Sequence, residues 1–291
     1  MADIAVITGA AGGIGFHTAL ELARRGTGVI IASRDRARGE AAAARIRAEQ
    51  TGQSPETAWW ELDLGDLTSV RRFSERFRDA YDRLALLINN AGVMALPRAV
   101  TTDGFERQLG VNHLGHFALT GLLLPALLAA GDARVVTVTS GLHRRGRMDF
   151  DDLMGERRYS KIGAYCQSKL ANVLFARELG RRTPLTSVLA HPGVAHTDLA
   201  RTGRPLRELL IAVARLSAQS AEAGALPSLH AATAPDVRSG DLYGPDGFGE
   251  RRGKPAKAEI APQGRDDDAA RRLWTISEEL TGVRYGTFVQ Q

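Results

Sequence analysis

Tyr165 and Lys169 are the two residues whose types and spacing point most directly to chemistry in this sequence. On a helix, residues four positions apart lie on the same face, so the phenol and the ammonium group can enter one pocket. A nearby cation stabilises an ionised phenol, and we therefore expect Lys169 to lower the pKa of Tyr165 from about 10 toward neutral pH. Such a phenol can protonate an alkoxide or deprotonate an alcohol. An ordinary pair on a helix surface is the alternative interpretation.

Ser140 and Asn112 are two further candidates for the same site. Ser140 follows an apolar segment, 134–139, that predicts a strand. Open α/β sheets bind ligands beyond the carboxyl ends of their strands, so the Ser140 hydroxyl could donate a hydrogen bond to a substrate carbonyl. A serine that only caps the strand end is the alternative. Asn112 lies within a predicted helix, where asparagine is unfavourable unless it has a local task, and a structural helix break is its alternative.

Two histidines, His113 and His116, follow Asn112 at a spacing of three. A zinc site needs further His, Cys, Asp or Glu ligands, and no acidic residue or cysteine accompanies this pair. We therefore interpret both as core or surface histidines and predict no metal site. The single cysteine, Cys166, excludes an intramolecular disulfide and is expected in the core.

A glycine-rich turn follows the first apolar segment of the chain, 4–7, which predicts a buried strand. Helical spacing of apolar and small residues begins at Phe16. A strand, a glycine turn and a helix in this order direct backbone N–H groups and the positive end of a helix at a phosphate. A tight turn without a ligand is the alternative. The residues that would hold the phosphate are Thr8, Gly9, Gly13, Ile14 and Gly15.

Ser33 and Arg34 stand at the end of the second predicted strand, 28–32. In dinucleotide folds an acidic residue near this position binds the ribose 2′-hydroxyl of NAD. A guanidinium can instead pair with the 2′-phosphate of NADP, which a carboxylate would repel. We therefore expect NADP(H) in preference to NAD(H). An ordinary surface arginine, with Asp35 next to it, is the alternative.

These motifs, in this order, resemble the short-chain dehydrogenase/reductase family, and within it the retinol-dehydrogenase-like and WW-domain-oxidoreductase-like proteins. The resemblance extends from Ile4 to about Leu280. Such a set of motifs is highly specific in combination. The matching motifs are T-G-x-x-x-G-x-G at 8–15, Asp63-Leu64, Asn89-Asn90-Ala91-Gly92, Val111-Asn112-His113-Leu114-Gly115-His116-Phe117, Ser140, Tyr165-x-x-x-Lys169, and His191-Pro192-Gly193 with Thr197.

The resemblance implies a site for a nicotinamide dinucleotide. Asp63 and Leu64 would contact the adenine, and Asn90 would hold the loop beside the adenosine ribose. Val194 and Thr197 would bind the carboxamide. The other contacts that the resemblance implies are Ala91, Gly92, Pro192 and Gly193.

The resemblance also implies a role for each candidate catalytic residue. Lys169 would bind the hydroxyls of the nicotinamide ribose. Ser140 would polarise a substrate carbonyl, and Tyr165 would exchange the proton. Asn112 would hold a water that links Lys169 to solvent.

Composition excludes several classes of protein. A hydrophobic content of 44% and a charged content of 24% are those of a globular protein with a single core. The net charge of +5 comes almost entirely from arginines scattered among acids, so we expect no nucleic-acid partner. The first strand begins within a few residues of Met1, and the longest apolar run, 122–130, is too short to span a bilayer. We therefore expect a cytoplasmic protein without a membrane anchor.

Strands alternate with helices along the chain, which predicts a Rossmann-type α/β domain over 1–291 with helices on both faces of a mainly parallel sheet of about seven strands. Further strands are predicted at 58–62, 84–88, 187–190 and 240–243. The predicted helices are 35–50, 66–81, 104–130 (in one piece or two) and 164–180. Segments 142–160 and 198–225 are expected to close over the nicotinamide, the second as a lid with an apolar stripe. That stripe could equally pack on the domain or on another subunit of a homo-oligomer.

The function that these observations favour is reduction of a bulky, mainly apolar ketone, or oxidation of the matching alcohol, with NADP(H). Two alternatives stay open at this point. One is a cofactor-binding sensor or scaffold without turnover, although such a protein need not keep Ser140, Tyr165 and Lys169. The other is a double-bond reductase or an epimerase-like relative that uses the same cofactor site.

Overall fold

The computed structural model describes residues 3–50, 56–193 and 219–286. Strands and helices alternate through these ranges. The strands are β1 (Ile4–Thr8), β2 (Gly28–Ser33), β3 (Thr57–Glu61), β4 (Leu86–Asn89), β5 (Arg134–Val138), β6 (Thr186–Ala190), β7 (Leu242–Pro245) and β8 (Pro255–Lys257). The helices are α1 (Gly13–Arg24), α2 (Arg36–Glu49), α3 (Leu67–Ala80), α4 (Arg107–Leu109), α5 (Gly115–Ala129), α6 (Lys161–Arg182), α7 (Ala221–Thr233) and α8 (Asp267–Thr281).

The strands form one sheet in the order β3-β2-β1-β4-β5-β6-β7-β8. All neighbouring pairs are parallel except β7 and β8, which are antiparallel. The sequence predicts about seven strands, and the additional one is β8. Its three residues include Pro255 and contain no apolar alternation, so no pattern in the sequence marks it.

Helices cover both faces of the sheet, which confirms the predicted α/β class. Each face is sealed by its own cluster of buried apolar side chains, as expected for strands that are buried on both sides. On one face, α1, α2 and α7 contribute Phe16, Leu20, Ile46 and Leu229. On the other face, α3, α5, α6 and α8 contribute Phe73, Phe77, Phe117, Phe175 and Trp274.

The direction of strand order reverses at β1. The chain proceeds outward from β1 through β2 to β3 and then returns to place β4 on the other side of β1. Helices on opposite faces leave a crevice at such a reversal, beyond the carboxyl ends of the two central strands. Thr8 ends β1 and Asn89 ends β4, so the glycine turn and the Asn90 loop both open into this crevice.

Asn112 lies in a π-helical turn, Gly110–Leu114, between α4 and α5. The three segments follow one another without a break, so the predicted helix over 104–130 is one rod with an irregular turn. It begins at Arg107 because the Glu106 carboxylate caps it, accepting from two backbone N–H groups of the first turn at 2.9 and 2.8 Å. Single π-turns inside α-helices occur frequently at functional sites.

Helix α6 begins three residues before the predicted helix over 164–180. The Ser160 hydroxyl accepts a hydrogen bond from Gly163 N at 3.2 Å and so caps an earlier start, at Lys161. The last turn extends to Arg182. The added turns do not move Tyr165 or Lys169, which lie on the buried face of the helix.

The two segments expected to close over the nicotinamide differ in what the structure shows. Segment 142–160 packs on α6, where Leu153 is buried and its carbonyl accepts from Gln167 Nε2 at 3.1 Å. Of the expected lid over 198–225, residues 198–218 lie outside the described residues. Its last residues form the first turns of α7, with Ala225 buried against the sheet, and the lid itself stays a prediction.

Among the described residues, one helix, Arg107–Ala129, is long and apolar enough to cross a bilayer by length and composition alone. It is longer than the apolar run 122–130 because the preceding turns are also apolar. Most of it is buried within the fold, as the core helix of a globular domain would be.

Candidate active site

The glycine turn after β1 brings bare backbone to the carboxyl edge of the sheet. Gly9 and Gly13 have φ values of +69° and +56°, which residues with a Cβ rarely adopt. A Cβ built on Gly15 would lie 2.5 Å from Asn90 Nδ2 and 2.9 Å from Ala10 Cα. Residues with a Cβ would therefore not fit at these positions of the turn.

The N-terminus of α1 offers its backbone N–H groups to an anion. Gly12 is the N-cap residue, and no side chain provides a cap hydrogen bond there. The first N–H groups of a helix have no partner within the helix, and the helix dipole favours negative charge at this end. Ile14 is buried in the first turn and fixes the helix against the core. This arrangement fits the pyrophosphate of a dinucleotide, which residues 8–15 would hold.

Thr8 ties the glycine turn to the loop that follows β4. Its hydroxyl oxygen accepts hydrogen bonds from the N–H groups of Asn90 and Ala91, both at 2.9 Å. In return, Asn90 Nδ2 donates to Thr8 O at 2.7 Å. The two loops that would flank the adenosine and the phosphates are therefore one hydrogen-bonded unit.

The end of β2 presents Ser33 and Arg34 as predicted, with Arg34 exposed. The carboxylate of the neighbouring Asp35 caps α2 by accepting from Arg38 N at 3.0 Å. The sequence analysis missed Arg38 itself. A Cβ built on Gly12 would lie 3.1 Å from Arg38 Nη2, so this guanidinium reaches the glycine turn. Its position in the first turn of the helix after β2 is the sequence feature that could have identified Arg38.

Asp63 and Leu64 form a tight turn after β3, on the side of the crevice where adenine is expected. Asp63 Oδ1 accepts from Gly65 N at 2.8 Å, and Asp63 N donates to Ser69 Oγ at 3.0 Å. Leu64 is buried. These bonds fix the backbone of the turn, which is what an adenine contact through main-chain atoms would need.

Ser140, Tyr165 and Lys169 meet at the ends of β5 and α6. The Ser140 hydroxyl lies close enough to the Tyr165 phenol to lower the pKa of that phenol. The Lys169 ammonium donates to Val138 O at 3.1 Å and lies 5.9 Å from the centroid of the Tyr165 ring. A Cβ built on Gly92 would lie 3.3 Å from Lys169 Nζ, so the loop after β4 passes directly beside the ammonium group.

Burial sets the protonation of this cluster. It raises the pKa of Tyr165 to about 12, against a lowering by the Ser140 hydroxyl. It lowers the pKa of Lys169 to about 8. The expected lowering of the Tyr165 pKa by Lys169 is therefore wrong for this structure, because desolvation of the phenol dominates and the ammonium is directed at Val138 O.

The Asn112 side chain forms hydrogen bonds with the loop after β4. Its Oδ1 accepts from Val93 N at 2.7 Å, and its Nδ2 donates to Val93 O and to Ser168 Oγ, both at 2.9 Å. The amide thus joins the loop beside Lys169 to helix α6. These bonds use the amide group on protein partners, and the water contact implied by the resemblance stays a prediction.

His116 connects the glycine turn to the π-turn, a role that the sequence analysis missed. Its Nδ1–H donates to Asn112 O at 3.0 Å, and its Nε2 is 2.9 Å from Thr8 Oγ1. Because that Nε2 is then an acceptor, the Thr8 hydroxyl donates to it while accepting from Asn90 and Ala91. Burial lowers the pKa of His116 to about 4, so the imidazole is neutral at physiological pH.

His113 lies on the opposite side of the helix, in the core. Its Nε2 is 2.9 Å from Ser277 Oγ, and Ser277 donates its own proton to Leu273 O. Burial lowers the pKa of His113 to about 3. Both histidines lie in the core, one of the two places that the sequence analysis left open. The described ranges hold no cluster of three His, Cys, Asp or Glu residues suited to a metal.

Pro192 and Gly193 follow β6, at the same carboxyl edge of the sheet as Ser140, because β5 and β6 are parallel neighbours. Gly193 has a φ of +65°, and Gln219 Nε2 donates to Pro192 O at 2.8 Å. The two residues lie where the resemblance expects the nicotinamide end of the cofactor. Val194 and Thr197, expected to bind the carboxamide, lie outside the described residues.

Oxidation of an alcohol or reduction of a carbonyl needs a dinucleotide and a proton-transfer group at the same substrate atom. The crevice brings a phosphate-binding turn together with a serine, a tyrosine and a lysine at one edge of the sheet. The fold and this site define a nicotinamide-dependent oxidoreductase of the Rossmann type.

The chain belongs to the short-chain dehydrogenase/reductase family. The family model for short chain dehydrogenases matches residues 3–207. Human retinol dehydrogenase 12 is 44% identical over 97% of this chain and 87% of its own length. Mouse polyprenol dehydrogenase is 45% identical over 97% of this chain and 85% of its own length. The retinol-dehydrogenase-like resemblance is thereby confirmed.

Solved structures support the same fold. An uncharacterised protein from Mycobacterium paratuberculosis is 43% identical and superposes with a TM-score of 0.80 over 98% of this chain and 95% of its own. An alcohol dehydrogenase from Thermococcus sibiricus, complexed with 5-hydroxy-NADP, is 22% identical with a TM-score of 0.61 over 82% and 94% of the two chains. At that identity the second likeness concerns the fold alone.

Proposed function

We propose that this protein is an NADP(H)-dependent carbonyl reductase, which transfers a hydride between nicotinamide and a ketone or secondary alcohol. The observation that carries the proposal is the cluster of Ser140, the buried Tyr165 and the buried Lys169, in which the serine hydroxyl lies beside the phenol and the ammonium lies 5.9 Å from its ring. A protein that only binds a dinucleotide has no need of this cluster. When bound, the cofactor supplies or accepts the hydride, and the chain's own residues handle the carbonyl oxygen and its proton.

The carbonyl oxygen would lie between the hydroxyls of Ser140 and Tyr165. Ser140 donates a hydrogen bond that polarises the carbonyl. Because burial holds the pKa of Tyr165 at about 12, the phenol keeps its proton until negative charge develops on the oxygen. Tyr165 then donates this proton to the alkoxide, and the Lys169 ammonium stabilises the phenolate that remains.

The preference for NADP(H) rests on two guanidinium groups near the crevice. Arg34 is exposed at the end of β2, and Arg38 reaches the glycine turn. Asp35, the one carboxylate beside them at the strand end, is held as the cap of α2. Arginine side chains bind phosphate oxygens bidentately, whereas an acid would be needed for the 2′-hydroxyl of NAD.

The substrate that we propose is a bulky, mainly apolar ketone or alcohol. Two relatives are named for retinol and polyprenol, which are both long apolar alcohols. We further propose that the protein acts in the cytoplasm on this small molecule, without a membrane or nucleic-acid partner, and that it can form homo-oligomers.

The experiment that tests the function is NADPH consumption by the purified protein with ketones of increasing apolar size, with the products identified. We expect alcohol products and a kcat/KM that rises with apolar size. A saturated carbonyl product from an enone would identify a double-bond reductase instead. Tight NADPH binding without turnover of any ketone or alcohol would identify a sensor or scaffold. Either result would contradict the proposal.

A further inference from the structure

Glu250 lies on a loop after β7 and contacts both strand-end segments of the catalytic edge. Its carboxylate accepts from Arg144 Nη2 at 2.7 and 2.9 Å. Its Oε2 lies 2.8 Å from Nε2 of His191. Arg144 is four residues beyond Ser140, and His191 immediately precedes Pro192. One carboxylate therefore bridges the turn that carries Ser140 and the loop that is expected to contact the nicotinamide.

The Ser140 end of this bridge is a short helical turn, Gly141–Arg145. Ser140 Oγ accepts from Leu142 N at 3.2 Å, and Ser140 O accepts from His143 N at 2.9 Å and from His143 Nδ1 at 2.8 Å. The turn is thus stiff in itself. Gln263 Nε2 also holds it by donating to Arg144 O at 2.6 Å, and Arg144 Nη2 donates to Glu259 O at 3.1 Å in addition to Glu250. A displacement of Arg144 would therefore displace Ser140 as well.

The other end of the bridge is the His191 imidazole, which is 1% exposed. Its Nδ1 accepts from Gly193 N at 3.3 Å, so the ring carries a proton on Nε2, which lies toward Glu250. The two atoms are within hydrogen-bonding distance, although the N–H is not well aligned with the carboxylate. A Cβ built on Gly193 would lie 2.5 Å from Arg251 O, so the loop after β6 also contacts the segment that carries Glu250.

The backbone of Glu250 is strained, which indicates that its position is imposed by its contacts. It has a φ of +53°, and in the described part of the chain only Ala95 is another non-glycine residue with a positive φ. Such a conformation is unfavourable for a residue with a Cβ and persists where the surroundings enforce it. A glycine would be the ordinary residue here, as at Gly249, where φ is +62°.

We propose that Glu250 is a positioning residue that locks the Ser140 turn and the Pro192-Gly193 loop at a fixed separation. The proposal rests on the proposed carbonyl chemistry, since that chemistry gives the separation its importance. Ser140 must hold the carbonyl at the distance from which the nicotinamide can transfer a hydride. Glu250 touches neither the carbonyl nor the reacting atoms and acts only through Arg144 and His191.

The test compares Glu250→Gln, which keeps the shape but loses the charge, with Glu40→Gln, which breaks a distant surface pair with Arg36. Hydrogen exchange is first measured on the cofactor-free proteins. In Glu250→Gln we expect the His143 and Gly146 amides and the amides after His191 to exchange at least tenfold faster, while α1 and β1 are unchanged. Exchange that is unaltered, or faster throughout the molecule, would overturn the proposal.

Kinetics on a ketone substrate form the second arm. We expect Glu250→Gln to lower kcat about tenfold, with the NADPH dissociation constant changed less than about threefold. Arg144→Gln should give the same pattern, and the double variant should be no worse than either single one. Additive losses, or an unchanged kcat despite faster exchange, would contradict a positioning role. If the wild-type protein turns over no ketone or alcohol, the proposed function fails, and the exchange arm still decides whether the bridge exists.

Discussion

At the scale of single residues, burial governs how the catalytic groups hold their protons. The phenol of Tyr165, with a pKa raised to about 12, stays protonated at neutral pH, and Lys169, with a pKa lowered to about 8, is mainly charged. A protonated phenol beside a cation is the state needed to deliver a proton to an alkoxide. The described cluster is therefore set for reduction of a carbonyl.

The protonation of Lys169 predicts the pH dependence of the reaction. Reduction needs the ammonium form, so kcat/KM should be level from pH 6 to 7 and should fall above about 8, approaching tenfold per pH unit. The phenol does not contribute in this range because its pKa is about 12. The measurement is kcat/KM for a ketone with NADPH from pH 6 to 10.

Lys169→Arg provides the matched variant for this pH profile. A guanidinium does not lose its proton below pH 10, so any activity that the variant retains should stay level across the alkaline range. A wild-type profile that is level to pH 10 would contradict the assignment. So would an alkaline fall that Lys169→Arg leaves in place.

At the scale of elements, the junction between β2 and α2 predicts cofactor preference. Arg34→Ala and Arg38→Ala should each lower kcat/KM for NADPH about tenfold to a hundredfold, because each removes a charge-assisted contact with the 2′-phosphate. Activity with NADH should stay nearly constant. Arg36→Ala is the control, since Arg36 lies on the same helix but pairs with Glu40 on its exposed side. Equal kcat/KM for the two cofactors in the wild type would contradict the prediction.

Strands with a continuous apolar pattern could be predicted closely from the sequence. The segments 4–7, 28–32 and 134–139 agree with β1, β2 and β5 to within about one residue at each end. Three features of the fold could not be predicted. β8 has too few residues to show a period, α6 starts at a serine cap, and the π-turn at Asn112 depends on hydrogen bonds to Val93 and Ser168.

The residues of the candidate site likewise divide into those that a local sequence pattern marks and those that it does not. The glycine turn and the Tyr165–Lys169 pair are local in sequence, so their spacing indicates them directly. His116 and Glu250 take their positions from contacts with distant parts of the chain, and no local pattern marks them. Arg38 could have been found from its position in the first turn of the helix after β2. The pKa of Tyr165 was predicted in the wrong direction because spacing indicates a nearby charge but not the extent of burial.

At the scale of the whole molecule, two neutral histidines in the core make stability depend on pH. Burial lowers the pKa of His113 to about 3 and that of His116 to about 4. As the pH falls below about 6.5, the unfolded chain binds protons at both residues while the folded chain does not. The free energy of unfolding should therefore decrease from pH 6.5 to 4, by up to about 1.4 kcal/mol per pH unit for each histidine.

His113→Gln tests this dependence, since the amide can still donate to Ser277 Oγ but does not titrate. Urea unfolding of the cofactor-free protein between pH 6.5 and 4 should show a shallower slope for the variant, by about one proton. The slope is the quantity compared, so a general loss of stability in the variant does not affect the result. Identical slopes would show that His113 binds its proton in the folded state.

The central claim is that Tyr165 delivers the proton in an NADPH-dependent reduction, and one measurement tests it most directly. Tyr165→Phe keeps the ring in its buried site but removes the hydroxyl, so kcat for a ketone should fall about 10²- to 10⁴-fold. The NADPH dissociation constant, measured by fluorescence titration on the same preparation, should change less than about threefold, a shift below 1 kcal/mol. A Tyr165→Phe protein that retains more than about a tenth of the wild-type rate would show that another acid operates and would contradict the account.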